Sequence, residues 1–72
     1  MYYKTWQKRL ENTGWKVTEE HDGLYYEVRW DHPGNTAEES ARLNIRIVCD
    51  YAKSGKPGKI RWMFQGGKLC HI

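Results

Sequence analysis

The sequence predicts a two-layer α+β sandwich in the order α-β-β-α-β-β, with a four-stranded antiparallel sheet and both helices on one face. Three observations carry this. Residues 24–31 place Leu24, Tyr26, Val28 and Trp30 on one side and Tyr25, Glu27, Arg29 and Asp31 on the other, the period of a half-buried strand. Thr36-Ala37-Glu38-Glu39 is a capping box that opens a helix. Gly66-Gly67 separates two short runs and reads as a tight hairpin turn. A sheet with one apolar face needs a cover, and two amphipathic helices on that face supply it.

The first element is a helix over residues 2–13. Tyr3, Trp6 and Leu10 recur at spacings of three and four, with Lys4, Lys8, Glu11 and Asn12 on the other side, and Gly14 stands at the C-cap. Residues 15–20 form the first strand, with Trp15 and Val17 inward and Lys16 and Thr18 outward. His21-Asp22-Gly23 turns the chain into the second strand, residues 24–31. Residues 31–35 are a loop.

After Thr36 two periodicities compete. Leu43, Ile45, Ile47, Cys49 and Tyr51 alternate as a strand would. At about 100° per residue, however, Glu38, Glu39, Arg42, Arg46, Asp50 and Lys53 gather in one arc, opposite Ala37, Ala41, Ile45, Val48 and Ala52. Glu38 with Arg42 and Arg46 with Asp50 add four-apart pairs of opposite charge. The helical pattern is the stronger, so the expectation is a helix over residues 36–53, closed by Gly55. Residues 54–58 make a loop. Residues 59–65 make a strand with Ile60, Trp62 and Phe64 inward and Arg61 and Met63 outward, and residues 68–72 return beside it.

Seventy-two residues suffice for a single domain, 1–72, with four Trp, five Tyr and one Phe supplying bulk to a small core. Two cysteines and an opening Met-Tyr-Tyr-Lys-Thr-Trp with no apolar leader point to a reducing, cytoplasmic setting. No apolar run has the length to span a bilayer. The net charge of +3 fits nucleic acid or an acidic protein as partner.

The candidate binding residues fall into two groups. On the sheet face away from the helices stand Lys16, Tyr25, Arg29, Arg61 and Met63, with Lys59 and Lys68 near the strand ends. Tyr and Arg anchor interfaces, Met adapts to irregular partners, and aromatic residues among basic ones stack on bases and pair with phosphates. The loop of residues 53–59 adds Lys53, Lys56 and Lys59 with two glycines and no acid, though it lacks the full phosphate-binding loop pattern. Helix residues Arg42, Arg46 and Lys53 are balanced by Glu38, Glu39 and Asp50, the pattern of a solvated face.

His21, His32, Cys49, Cys70 and His71 have no zinc-module spacing, so no metal and no cofactor are expected. The acid–histidine neighbours His21-Asp22 and Asp31-His32 sit in turns without a nucleophile beside them. The stretch 10–17, with Tyr26 and His32-Pro33-Gly34, resembles the start of HicA-type mRNA interferase toxins. That resemblance implies a double-stranded-RNA-binding-like fold and histidine-dependent RNA cleavage. It covers about the first third of the chain, and the family's Gly-Ser-His has no counterpart at Gly23-Leu24-Tyr25. The reading is therefore a non-catalytic interaction module for nucleic acid or a nucleic-acid-handling protein complex, of the kind a phage or mobile element uses as an inhibitor. A protein-only adaptor and a HicA-like nuclease are the alternatives. Strand pairing through residues 69–72 offers a route to a homodimer.

Overall fold

A computed structural model describes residues 1–71. It shows two helices and one antiparallel sheet of five strands, in the order α1 (Tyr3–Asn12), β1 (Lys16–Asp22), β2 (Tyr26–Asp31), α2 (Ala37–Leu43), β3 (Ile45–Cys49), β4 (Ile60–Gln65) and β5 (Lys68–Cys70). The strands lie side by side in chain order, β1-β2-β3-β4-β5, and every pair is antiparallel. Residue 72, where the last expected strand ends, lies outside the described residues.

α1 begins and ends within one residue of expectation, because its C-cap is local chemistry. Gly14 takes φ +89°, which glycine adopts without the strain a Cβ would bring. This lets Trp15 N–H reach the Leu10 carbonyl at 2.9 Å and Gly14 N–H reach that of Glu11 at 3.1 Å, the paired bonds of a Schellman motif. Tyr3 and Leu10 then bury against the inner sheet face, with Trp6 and Trp15 partly buried beside them. Trp30 Nε1–H donates to the Tyr3 hydroxyl at 3.1 Å within this core, and the Tyr3 and Tyr26 rings meet edge to face. Burial raises the Tyr3 hydroxyl above the usual phenol range, so it stays protonated.

The expected long second helix is corrected to a short helix followed by a strand. The capping box forms as the sequence indicates: Glu39 N–H donates to Thr36 Oγ1, and Thr36 N–H donates to the Glu39 carboxylate. After Leu43 the chain turns extended and the alternating pattern prevails. Ile45, Ile47 and Cys49 enter the core between β2 and β4, where β-branched side chains fit a pleated surface and satisfy partners on both edges. The helical arc would have offered mainly alanines to that core.

The sheet therefore has five strands rather than four, and the helices do not share one face. Of the two helices, α1 covers the inner face. None of the residues of α2 is buried, and the helix sits across one end of the sheet. There Ser40 hydrogen-bonds the Asp31 carboxylate, Gln65 Nε2–H donates to the Leu43 carbonyl at 3.2 Å, and Gly66 N–H donates to that of Asn44 at 2.9 Å.

A bulge in β4 reverses the expected facing of that strand. Val48 pairs with Trp62 and Cys49 with Ile60, so Arg61 is an extra residue without a partner. Ile60 stays inward, but from Trp62 onward the parity flips. Met63, expected on the binding face, is in the core at 4 % exposure, and Trp62 and Phe64, expected in the core, point to the other side. A second irregularity at Thr18 sets Glu19 opposite Arg29 and His21 opposite Glu27. Val17, expected inward, is 40 % exposed because β1 is an edge strand along which every residue is exposed.

Candidate binding face

Register across the strands builds the outer face in two rows. One runs Glu19, Arg29, Arg46, Phe64 and Leu69 from β1 to β5, and the other runs His21, Glu27, Val48 and Trp62. The β1–β3 half is charged and the β3–β5 half is aromatic and apolar. Trp62 is 39 % exposed and Leu69 61 %, so neither helix covers this half.

Tyr25, just before β2, joins the aromatic half. Its ring meets Trp62 edge to face at 5.3 Å, and the Arg61 guanidinium lies 5.7 Å from the Tyr25 ring centre and 5.3 Å from that of Trp62. The Arg46 guanidinium stands 4.5 Å over Phe64. Val48, although on this outer side, is only 3 % exposed, with Glu27 and Trp62 as its neighbours in register. The outer face thus has a small apolar centre of its own, outside the main core cluster.

Across both halves each of the three arginines has an acidic neighbour. Arg29 Nε–H donates to Asp31 at 3.1 Å and has Glu19 at 4.0 Å, Arg46 has Glu27 at 3.4 Å, and Arg61 has Asp50 at 3.6 Å. His21 Nε2 lies 3.6 Å from Glu19. Three arginines therefore face four carboxylates, and the surface is close to neutral. Arg29 and Arg46 are direct cross-strand partners, a like-charge juxtaposition that these acids offset.

An open cleft of about 480 Å³ lies over this half, lined by Glu19, Glu27, Arg29 and Arg46 below and by Ala41, Asn44, Gly66 and Gly67 at the α2 end. Gly66 is required there. A Cβ on it would sit 2.2 Å from the Arg42 carbonyl oxygen, so a side chain would drive the β4–β5 turn off the end of α2. Among the described residues no Ser, Thr or Cys lines the cleft, and no three His, Cys, Asp or Glu side chains gather in a metal-ligating group.

Of the residues nominated from sequence, Tyr25, Arg29 and Arg61 come together on this face. Lys16 is exposed at the β1 edge, in register with Asp31. Met63 is excluded by the β4 bulge. Lys56 is not free for a phosphate: its ammonium pairs with the Asp22 carboxylate, which also accepts a hydrogen bond from Tyr51 at 2.9 Å. These bonds hold the Asp22 carboxyl below its usual range and the Lys56 ammonium above its own. Lys59 is exposed, and its backbone runs beside Tyr2 next to the start of α1. Sequence reasoning missed Trp62, Phe64 and Leu69, and read Arg46 as helical. A bulge at Arg61 has no sequence signal of its own, and only the unusual string Arg-Trp-Met-Phe, apolar on both parities, hinted at it.

His32 and Cys49 have structural settings. His32 Nε2–H donates to the Thr13 carbonyl at 3.0 Å and Nδ1 accepts from Gly34 N–H at 3.0 Å, which occupies both ring nitrogens. The ring also meets Trp15 edge to face at 5.8 Å. Cys49 is fully buried, and burial pushes its thiol up to about 11. A scan against protein-family models found no match, and searches among curated proteins and solved structures found none.

Proposed function

We propose that this domain is a non-catalytic interaction module that docks a protein on the outer sheet face, with Trp62, Tyr25 and Phe64 as apolar anchors and Arg29, Arg46 and Arg61 around them. The observation that carries this reading is the division of one open face into an aromatic half and a charge-balanced half. Trp, Tyr and Arg are the side chains that dominate interface energetics, and a near-neutral mosaic suits a protein surface of mixed charge. A phosphate strand would meet four carboxylates on the same face. The interleaving of guanidinium groups and rings at 4.5–5.7 Å favours one second reading, a single nucleic-acid strand stacked on Trp62 and Phe64.

A photo-crosslinking residue placed at Leu69 tests the proposal in the cell of origin, with the same residue at Glu38 of α2 as the comparison. The expected result is a protein adduct from position 69 that Trp62→Ala reduces by at least about 30-fold in affinity, the scale of an interface anchor. Adducts from position 38 alone, or adducts indifferent to Trp62→Ala, would remove the reading. Adducts to nucleic acid would move it to the single-strand alternative.

A further inference from the structure

We infer that the solvent side of α1, carrying Lys4, Lys8 and Arg9, lies along the phosphate backbone of a nucleic-acid duplex. The inference stands apart from the docking face, since α1 covers the opposite side of the sheet. It rests on how charge is distributed. Of the twelve Lys and Arg residues, four have a carboxylate within 4.0 Å among the described residues: Arg29, Arg46, Lys56 and Arg61. The positive excess of the chain therefore resides among the other eight, and α1 holds three of these against Glu11 alone.

The helix geometry sets these charges facing outward. Tyr3 and Leu10 anchor the inner side, which leaves Lys4 and Lys8 exposed one turn apart on the other. Like charges at this spacing weaken a helix, and no acid occupies the first turn to offset them. Glu11, three residues beyond Lys8, is the only acid of α1 and offsets this arrangement only in part, whereas an external polyanion would offset both lysines. Arg9 is held at the flank of the stripe by its contact with the Trp6 ring, 5.1 Å from guanidinium to ring centre. Lys4 and Lys8 are separated by about 6 Å along the axis, and each strand of a duplex carries one phosphate per ~3.4 Å of duplex axis. A helix laid along a backbone can thus set successive ammonium groups against phosphates. Such contacts carry no base information, so the binding is independent of sequence.

The test is fluorescence anisotropy of the intact domain with a labelled short duplex of mixed sequence, at salt from about 50 to about 200 mM. Three phosphate contacts predict a slope of log affinity on log salt near −2.7, hence a loss of about 40-fold over that range. The triple variant Lys4→Gln, Lys8→Gln, Arg9→Gln, with circular dichroism to show an unchanged fold, should abolish most of that slope, while Trp62→Ala should leave it intact. Absence of duplex binding at the lowest salt would overturn the inference. So would duplex binding that survives the triple variant but is lost in Trp62→Ala, which would place nucleic acid on the sheet. Polyglutamate or anionic phosphatidylserine vesicles bound more tightly than the duplex would also overturn it, in favour of an acidic protein or a membrane surface. Crosslinking from Leu69 is decided separately, so either surface can fail while the other stands.

Discussion

Two adjacent glycines in the β4–β5 turn provide a paired test of how the end of the sheet is built. Gly66 and Gly67 both have positive φ, +57° and +79°, so alanine at either carries a left-handed backbone cost of about 1–2 kcal/mol. Their surroundings differ. A Cβ on Gly67 meets nothing within 4 Å, whereas one on Gly66 meets the Arg42 carbonyl oxygen at 2.2 Å and its carbon at 2.8 Å. Because these are backbone atoms, the turn itself must move, and the Gly66 N–H bond to Asn44 is lost with it, a further ~0.5–1.5 kcal/mol. Gly67→Ala should therefore cost about 1–2 kcal/mol and Gly66→Ala about 3 kcal/mol or more. A domain of this length has a total stability of roughly 4–11 kcal/mol, so the second variant removes a large share of it. Urea unfolding followed by tryptophan fluorescence and far-UV circular dichroism measures both. Equal losses in the two variants would refute the reasoning, because only the contact with α2 distinguishes them. Gly66→Ala should also open the cleft wall, visible as shifts in the amide resonances of residues 41–44 that Gly67→Ala does not produce.

Other outcomes follow from the same geometry. His32→Ala removes two ring hydrogen bonds and the edge contact with Trp15, and should cost about 2–3 kcal/mol in urea unfolding; a loss below about 0.5 kcal/mol would mean the bracket between α1 and the β2–α2 loop is not structural. Acid should destabilise the domain through Asp22 and Glu39, both of which have folded pKa values below their ordinary 3.8 and 4.5. The stability these carboxylates contribute is fully present above those ordinary values and is lost as pH falls through the lower, folded ones. Melting temperature followed from pH 7 to pH 2 should fall in that acidic window, and Asp22→Asn with Glu39→Gln should flatten the fall; an unchanged profile would show that neither bond matters.

Local signals were legible in the chain and long-range ones were not. Gly14 and the Thr36–Glu39 capping box specify their geometry within a few residues and are found as read; the alternation holds from Tyr26 to Trp30, but Leu24, expected inward, is 86 % exposed in the turn before β2. The segment 45–49 carries both periodicities at once, since Ile45 and Val48 suit a helix while Ile45, Ile47 and Cys49 suit a strand. What decides it is the presence of β2 and β4 on either side, which no window on the segment contains. The candidate site suffered most from one residue. Arg61 as an unpaired bulge exchanges Met63 for Trp62 and Phe64, so the sequence points to Tyr25, Arg29 and Arg61 on the face but puts Trp62 and Phe64 in the core and Arg46 on a helix.

The sequential order of the strands has a kinetic consequence. Each strand pairs only with its neighbours in the chain, so the sheet can zip from successive hairpins without closing long loops. The exception lies at the amino end, where Ile60 N–H donates to the Met1 carbonyl, Tyr3 N–H donates to that of Gly58, and Tyr2 bridges Lys59. These contacts span more than three quarters of the chain, so on the ribosome they wait until residues 58–60 have emerged. Residues 1–3 are thus among the last to be secured, and α1 closes over a sheet that has already begun to form.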